Sequence, residues 1–198
     1  MAKTLEFVFD PGGPNSYLAW KVLPGILERT GATLIYRPVL LGGLFKLSGN
    51  RAPMLRYADS PAKWAYEQLE FDRFVAAHAI PFQMNPGFPV NTVTLMRTAV
   101  ACEDDGTLNR FVPAAMTAMW EASRDLGDPV VIAQVLDDAG LDGRALVARA
   151  GEQPIKDGLV ARTEGLAARG AFGVPTFFVG HEMFWGKERL AQVEAALA

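Results

Sequence analysis

Cysteine is almost absent from this chain. Cys102 is the only one among 198 residues. That excludes an intrachain disulfide and any Cys-x-x-Cys dithiol, and with it the redox exchange such a motif performs. Histidine is nearly as scarce: His78 and His181 stand far apart in sequence, so no metal site is expected. Basic runs are missing and the formal net charge is −3, which argues against nucleic acid as a partner. Long apolar runs are missing too, so no membrane span is expected. The opening Met-Ala-Lys-Thr leads straight into a strand-like segment. It lacks the apolar centre of a secretory leader, which predicts a cytoplasmic protein. No internal repeat or low-complexity segment is visible.

What is present is an ordinary globular balance, with half the residues hydrophobic and 21% charged. The length suits one large domain or two small ones. Cys102 falls in LMRTAVACEDD, a helical pattern, where a free cysteine packs as a small hydrophobe. Asp104-Asp105 followed by Gly106 reads as a solvated helix end and not as a carboxylate dyad.

Secondary structure follows from punctuation. Thr4 to Asp10 alternates and branches like a strand. Pro14 then suits the first helical position, where its missing N–H has no intrahelical partner, and Gly31 ends a helix running to about Arg29. Thr33 to Arg37 is a second strand. Strand, helix and strand within about 35 residues form a βαβ unit, which predicts a parallel pair with a right-handed crossover. Residues 40–169 read as almost wholly helical. Helices are expected from Ser60-Pro61 to about His78, from Asn91 or Thr92 to Glu103, and from Leu108 to about Asp125 with a kink or restart at Pro113. Further helices are expected from Asp128-Pro129 to Gly140, between Asp142 and Gly151, and from Pro154 to Arg169. Val174-Pro175 then opens a Phe-rich strand, Thr176 to Val179. Gly180-His181 fits a two-residue hairpin turn, and Lys187 to Leu197 forms a last helix. Neither half of the sheet has enough strands alone, so the two halves must meet in space.

The start of the first helix has chemical potential of its own. Gly12-Gly13-Pro14-Asn15-Ser16 directly follows the first strand. A helix start presents unpaired N–H groups and about half a positive charge, and glycines let a ligand approach the backbone. The segment reads either as an anion or thiolate site, or as a tight turn in which Ser16 merely satisfies local backbone.

Four groups of residues occur in a telling order. They are Phe9-Asp10 with Pro14-x-Ser16-Tyr17-Leu18-Ala19; Ser48-Gly49-Asn50-Arg51-Ala52-Pro53 with Lys63-x-x-Tyr66; Gly173-Val174-Pro175; and Phe184-Trp185-Gly186-x-Glu188-Arg189. In this the chain resembles 2-hydroxychromene-2-carboxylate isomerases and the related kappa-class glutathione transferases, over almost its whole length. The resemblance implies an α/β protein with a thioredoxin-like fold (βαβ…ββα) and a large DsbA-type helical insertion. Residues 1–39 and 170–198 would form the thioredoxin-like domain and 40–169 the insertion domain.

The resemblance also implies a cytoplasmic, glutathione-dependent isomerase of aromatic catabolism, and a homodimer. The implied reaction interconverts 2-hydroxychromene-2-carboxylate and trans-o-hydroxybenzylidenepyruvate through transient thiolate addition. The substrate is then a small aromatic carboxylate. Glutathione would be held by Val174, through backbone groups beside a cis Pro175, by Lys187 and Glu188 at its γ-glutamyl end, and by Asn50 and Lys63 at its glycine end. Trp64, Phe88, Phe184 and Trp185 are candidates for the apolar wall of the second-substrate site. Arg73, on the helix of Lys63, reads as an ion-pair or surface residue. One departure stands out. The family places a thiol-activating serine just before the proline, and here that residue is Gly13. Water, the Asn15 amide or the Ser16 hydroxyl would partly replace its donor, and Gly13→Ser is expected to restore it and raise activity. Two rival readings stay open: a kappa-like transferase, and a glutathione or small-molecule binding protein without catalysis.

Overall fold

A four-stranded sheet sets the position of everything else in the computed structural model, which describes residues 3–198. Residues 1 and 2, part of the stretch on which the leaderless reading rests, lie outside the described residues. Strand β1 (Thr4–Phe9) leads through α1 (Pro14–Thr30) to β2 (Thr33–Pro38). Helices α2 (Leu41–Ser48), α3 (Pro53–Arg56), α4 (Pro61–Ala77), α5 (Val93–Asp104), α6 (Leu108–Trp120), α7 (Pro129–Asp138), α8 (Gly143–Arg149) and α9 (Gln153–Ala168) follow. The sheet resumes with β3 (Thr176–Val179) and β4 (Glu182–Trp185), and a 3₁₀ turn at Lys187–Arg189 enters α10 (Leu190–Leu197). The strand order is β2-β1-β3-β4, with β1 parallel to β2 and antiparallel to β3. This is the thioredoxin-like arrangement with a helical insertion that the sequence led us to expect.

The core explains the alternation along β1. Leu5, Phe7 and Phe9 point to one face and are fully buried in the main apolar cluster, where Phe7 stacks on Phe177 at 5.4 Å. Val8 points to the other face, with Val39, Leu44, Leu166, Ala171 and Phe178. A strand buried on both faces needs consecutive apolar side chains, which is why β3 carries Phe177-Phe178. The main cluster also takes in Leu95, Phe111, Met119 and Trp120 from the insertion, so sheet and helices share one core.

Several local expectations are corrected. Helix α6 stops at Trp120 and runs through Pro113, which lies inside it. Pro24 lies inside α1 in the same way. Ser60 precedes α4 but its side chain makes no capping bond. Asp128 and Asp142 do cap, accepting from Val130 N at 2.8 Å and Ala145 N at 3.0 Å. Residues 79–92, which fall between two expected helices, are not helical: Pro81, Pro86, Gly87 and Pro89 make them a strap tied to the end of α6. There the buried Asn85 amide donates to the carbonyls of Met119 and Arg124. The last helix begins as a 3₁₀ turn.

Cys102 is buried, and burial pushes its thiol up to about 11, as suits a packed cysteine. Asp104 and Asp105 are not merely solvated: they pair with Arg149, and Asp104 also with Arg162. Among the described residues, no helix is long and apolar enough to cross a membrane, and no cluster of His, Cys, Asp or Glu could hold a metal.

Candidate functional site

The loop between β1 and α1 is built around a buried acid. Asp10 ends the apolar run Phe7-Val8-Phe9 and is fully buried. Its carboxylate accepts from Gly12 N at 2.8 Å, Leu41 N at 2.9 Å and Thr92 Oγ1 at 3.0 Å. It therefore ties this loop to the starts of α2 and α5. Desolvation still outweighs those three donors and raises Asp10 to about 6. Gly12 is required here, because a Cβ on it would lie 2.8 Å from Thr92 Cγ2. From the far side, Trp120 Nε1 donates to Pro11 O at 2.7 Å. Asp10 and Trp120 are parts of this site that the sequence reading missed. The signal for Asp10 was an acid directly after a buried strand.

Above this base, no side chain caps α1. Pro14 has no N–H, and Gly13 N and Ser16 N donate to Asp10 O at 3.0 Å and Gly13 O at 2.9 Å, so among the described residues the Asn15 N–H is the donor this turn leaves to another acceptor. Ser16 is fully buried, and neither its Oγ nor Asn15 Oδ1 has a hydrogen-bond partner among the described residues. Gly13 is extended, with φ −96° and ψ 111°, and buried. A Cβ on it would stand 3.0 Å from Val174 Cγ2 and 3.5 Å from Ser16 Oγ. Gly13, Ser16 and Val174 are therefore brought together from opposite ends of the chain. The Val174-Pro175 peptide bond is cis, as expected, and so is Phe88-Pro89, which was not foreseen.

The loop carrying Val174 is well anchored. Thr176 Oγ1 donates to Gly173 O at 2.7 Å, and the Asn50 amide donates to Phe172 O at 2.9 Å. Trp185 packs on Phe172 with ring centroids 4.8 Å apart, and its Nε1 lies 3.0 Å from where a Gly173 Cβ would be. Asn50 and Trp185 thus flank the same loop. Gly186 N donates to Pro175 O at 2.9 Å, which joins the cis-proline to the turn bearing Lys187 and Glu188.

Lys187 is placed differently from a free surface cation. Its side chain is 5% exposed and its ammonium pairs with Glu188. The faces of Phe71 and Phe74 on α4 lie 5.8 and 5.3 Å away. This cation–π cradle fastens α4 to the last turn. Glu188 itself is half exposed. Lys63, near the start of α4, is exposed and lies over the Tyr57 ring at 4.5 Å. Trp64 is half-buried beside it, and Arg73 pairs with Glu70. Phe88 packs on Trp120 at 5.9 Å, and Phe184 packs against the main core, while Trp185 is 40% exposed.

Comparisons with known proteins agree with the fold. Residues 4–198 match the model of the DSBA-like thioredoxin domain. The chain is 31% identical over 201 residues to a 2-hydroxychromene-2-carboxylate isomerase of Sphingobium xenophagum, covering 100% of this chain and 99% of that one. It is 27% identical over 203 residues to glutathione S-transferase kappa 1 of Rattus norvegicus, covering 95% and 88%. A solved structure of a 2-hydroxychromene-2-carboxylate isomerase superposes with a TM-score of 0.84 at 25% identity, covering 98% of this chain and 94% of that one.

Proposed function

We propose that this chain, which belongs to the DSBA-like thioredoxin domain family and within it to the group of 2-hydroxychromene-2-carboxylate isomerases and kappa glutathione transferases, is a glutathione-dependent isomerase. Its substrate is a small aromatic carboxylate of the 2-hydroxychromene-2-carboxylate type, converted to and from the trans-o-hydroxybenzylidenepyruvate. The observation that carries this reading is the meeting at Gly13. The uncapped start of α1, the buried and unpartnered Ser16 hydroxyl, and Val174 beside the cis-proline all converge there.

The residues present fit the tripeptide. Among the described residues the N–H and C=O of Val174 have no hydrogen-bond partner, so they can pair with the cysteinyl part as a short added strand. The start of α1 favours negative charge at the sulfur. Glu188 suits the γ-glutamyl amine. Lys187, buried beneath it, balances Glu188 and adds positive charge for the γ-glutamyl carboxylate. Asn50 spends one amide N–H on Phe172 O and has a second for the glycine end, which Lys63 reaches from the start of α4. When bound, glutathione supplies a sulfur nucleophile that adds to and leaves the unsaturated substrate, so that rotation can occur in between. The protein's part is to orient the two molecules and to hold the charge.

Trp185 and Trp64 suit the exposed wall of the second-substrate site, with Phe88 and Phe184 backing it from the core. We read residues 1–39 and 170–198 as the thioredoxin-like unit and 40–169 as the insertion, in a cytoplasmic homodimer. Gly13 favours a second reading, a glutathione-binding protein without turnover, because it offers no side-chain donor. Product analysis separates the readings. An isomerase interconverts the two acids and returns glutathione unchanged; a kappa-like transferase consumes it; a binding protein does neither.

A further inference from the structure

We infer that the Ser16 hydroxyl is the donor that holds the glutathione sulfur as a thiolate, and that Gly13 is the opening through which the sulfur reaches it. The inference rests on the glutathione reading above and names the group within it that acts on the thiol.

The chain contains its own controls for a buried helical hydroxyl. Thr98 and Thr163, both buried within helices, donate to the carbonyl four residues earlier at 2.9 and 2.8 Å, and the less buried Thr30 and Ser48 do the same. That is the ordinary way such groups are satisfied. Ser16 is fully buried like Thr98, but as the third residue of α1 it has only the pre-helical Gly12 four residues earlier, and its hydroxyl finds no partner among the described residues. A buried hydroxyl without a partner is costly, and its persistence at a helix start points to a ligand atom as the partner. The location agrees. Ser16 Oγ stands 3.5 Å from the point a Gly13 Cβ would occupy, and Val174 Cγ2 borders the same point at 3.0 Å. Any side chain at position 13 would stand between Val174 and Ser16. Glycine leaves that space to a sulfur arriving on the Val174 strand, once the Val174 side chain turns aside.

The donor thus lies one helical turn deeper than the family's serine. It acts together with the open Asn15 N–H of the same turn. The thiol proton leaves to solvent water, and the Ser16 O–H hydrogen bonds to the resulting thiolate. Asn15 is the other unpartnered side chain at this helix start, but it is only half-buried, whereas the Ser16 hydroxyl is fully buried.

The test is a pH titration of the ultraviolet absorbance of the glutathione thiolate bound to the protein. It is run beside calorimetric binding of S-methylglutathione, which has no ionisable thiol. Ser16→Ala should reduce the bound thiolate about tenfold at a pH below the thiol's pKa, a shift of about one unit, and leave S-methylglutathione affinity within about threefold. Gly13→Ala, which closes the opening without touching Ser16, should give the same shift. Ser16→Thr should keep the unsubstituted titration. An unchanged titration in a folded Ser16→Ala protein that still binds S-methylglutathione would overturn the inference, and so would an unchanged titration in Gly13→Ala. Failure of the unsubstituted protein to bind either peptide would instead overturn the glutathione reading itself, and the inference with it.

Discussion

Thr92 Oγ1 donates to Asp10 Oδ2 at 3.0 Å across 82 residues of sequence, and both side chains are buried. This bond joins the end of β1 to the start of α5. Together with Leu41 N and Gly12 N it makes one carboxylate the common anchor of three chain segments beneath the proposed sulfur site.

Asp10 should leave a signature in the pH dependence of stability. Burial raises it from an ordinary 3.8 to about 6. Below about 4 it is protonated whether the chain is folded or not. Between about 4 and 6 the unfolded chain loses its proton first, so the folded state binds more protons and stability falls as pH rises. About two units correspond to roughly 3 kcal/mol at ~1.4 kcal/mol per unit. Asp10→Asn should remove this slope, and should cost about 1–3 kcal/mol at low pH because its NH₂ must face a donor. Urea unfolding of both proteins across pH 4–7 (on the order of the window set by such a shift) checks it. Parallel curves would exclude Asp10 as the source.

Backbone pairing should matter more for affinity than the hydroxyl. Val174→Pro deletes an N–H that has no partner of its own among the described residues. It should weaken glutathione binding at least about tenfold, which is ~1.4 kcal/mol. Ser16→Ala should change affinity little below the pKa of the thiol. Calorimetry with a melting curve for each variant tests the ranking, and equal losses would reject it.

Gly13→Ser now has a different expected outcome from the one the sequence suggested. The backbone accepts serine, since φ is −96°. Its Cβ, however, comes within 3.0 Å of Val174 Cγ2 and screens Ser16. The substitution exchanges one donor for another, so the thiol titration should stay within about half a unit of the original, less than ~1 kcal/mol. A downward shift of a full unit would show that the two hydroxyls act together.

Lys187 should act through α4. No residue of α4 is fully buried, and the cradle of Phe71 and Phe74 around the Lys187 ammonium is a main tie to the last turn. Lys187→Met keeps the stem but removes the charge, at a cost of about 1–2 kcal/mol. Hydrogen exchange should accelerate in residues 61–77 and not in the sheet. Uniform acceleration would mean global destabilisation instead.

The sheet and most helices were legible in the sequence because each is marked locally. Pro14 and Gly31 bracket α1, Asp128-Pro129 opens α7, and the Phe-rich β3 is buried on both faces. The 79–92 strap fell between two expected helices, but its path was not legible because its order comes from tertiary bonds of Asn85, which leave no periodic trace. Within the site, Gly13, Ser16 and Val174 were named from the sequence, and their contact is a matter of folding. Asp10 was missed although it directly follows the buried run Phe7-Val8-Phe9, and the Phe71–Phe74 cradle was missed because burial of a single lysine is not written in its neighbours.

The most direct measurement follows 2-hydroxychromene-2-carboxylate and trans-o-hydroxybenzylidenepyruvate spectroscopically in the presence of the protein, with and without glutathione, and assays free thiol at the end. The account expects both acids to approach one equilibrium mixture from either side, only when glutathione is present, with the thiol fully recovered. Thiol lost in step with substrate, or no interconversion by a protein that binds glutathione, would contradict it.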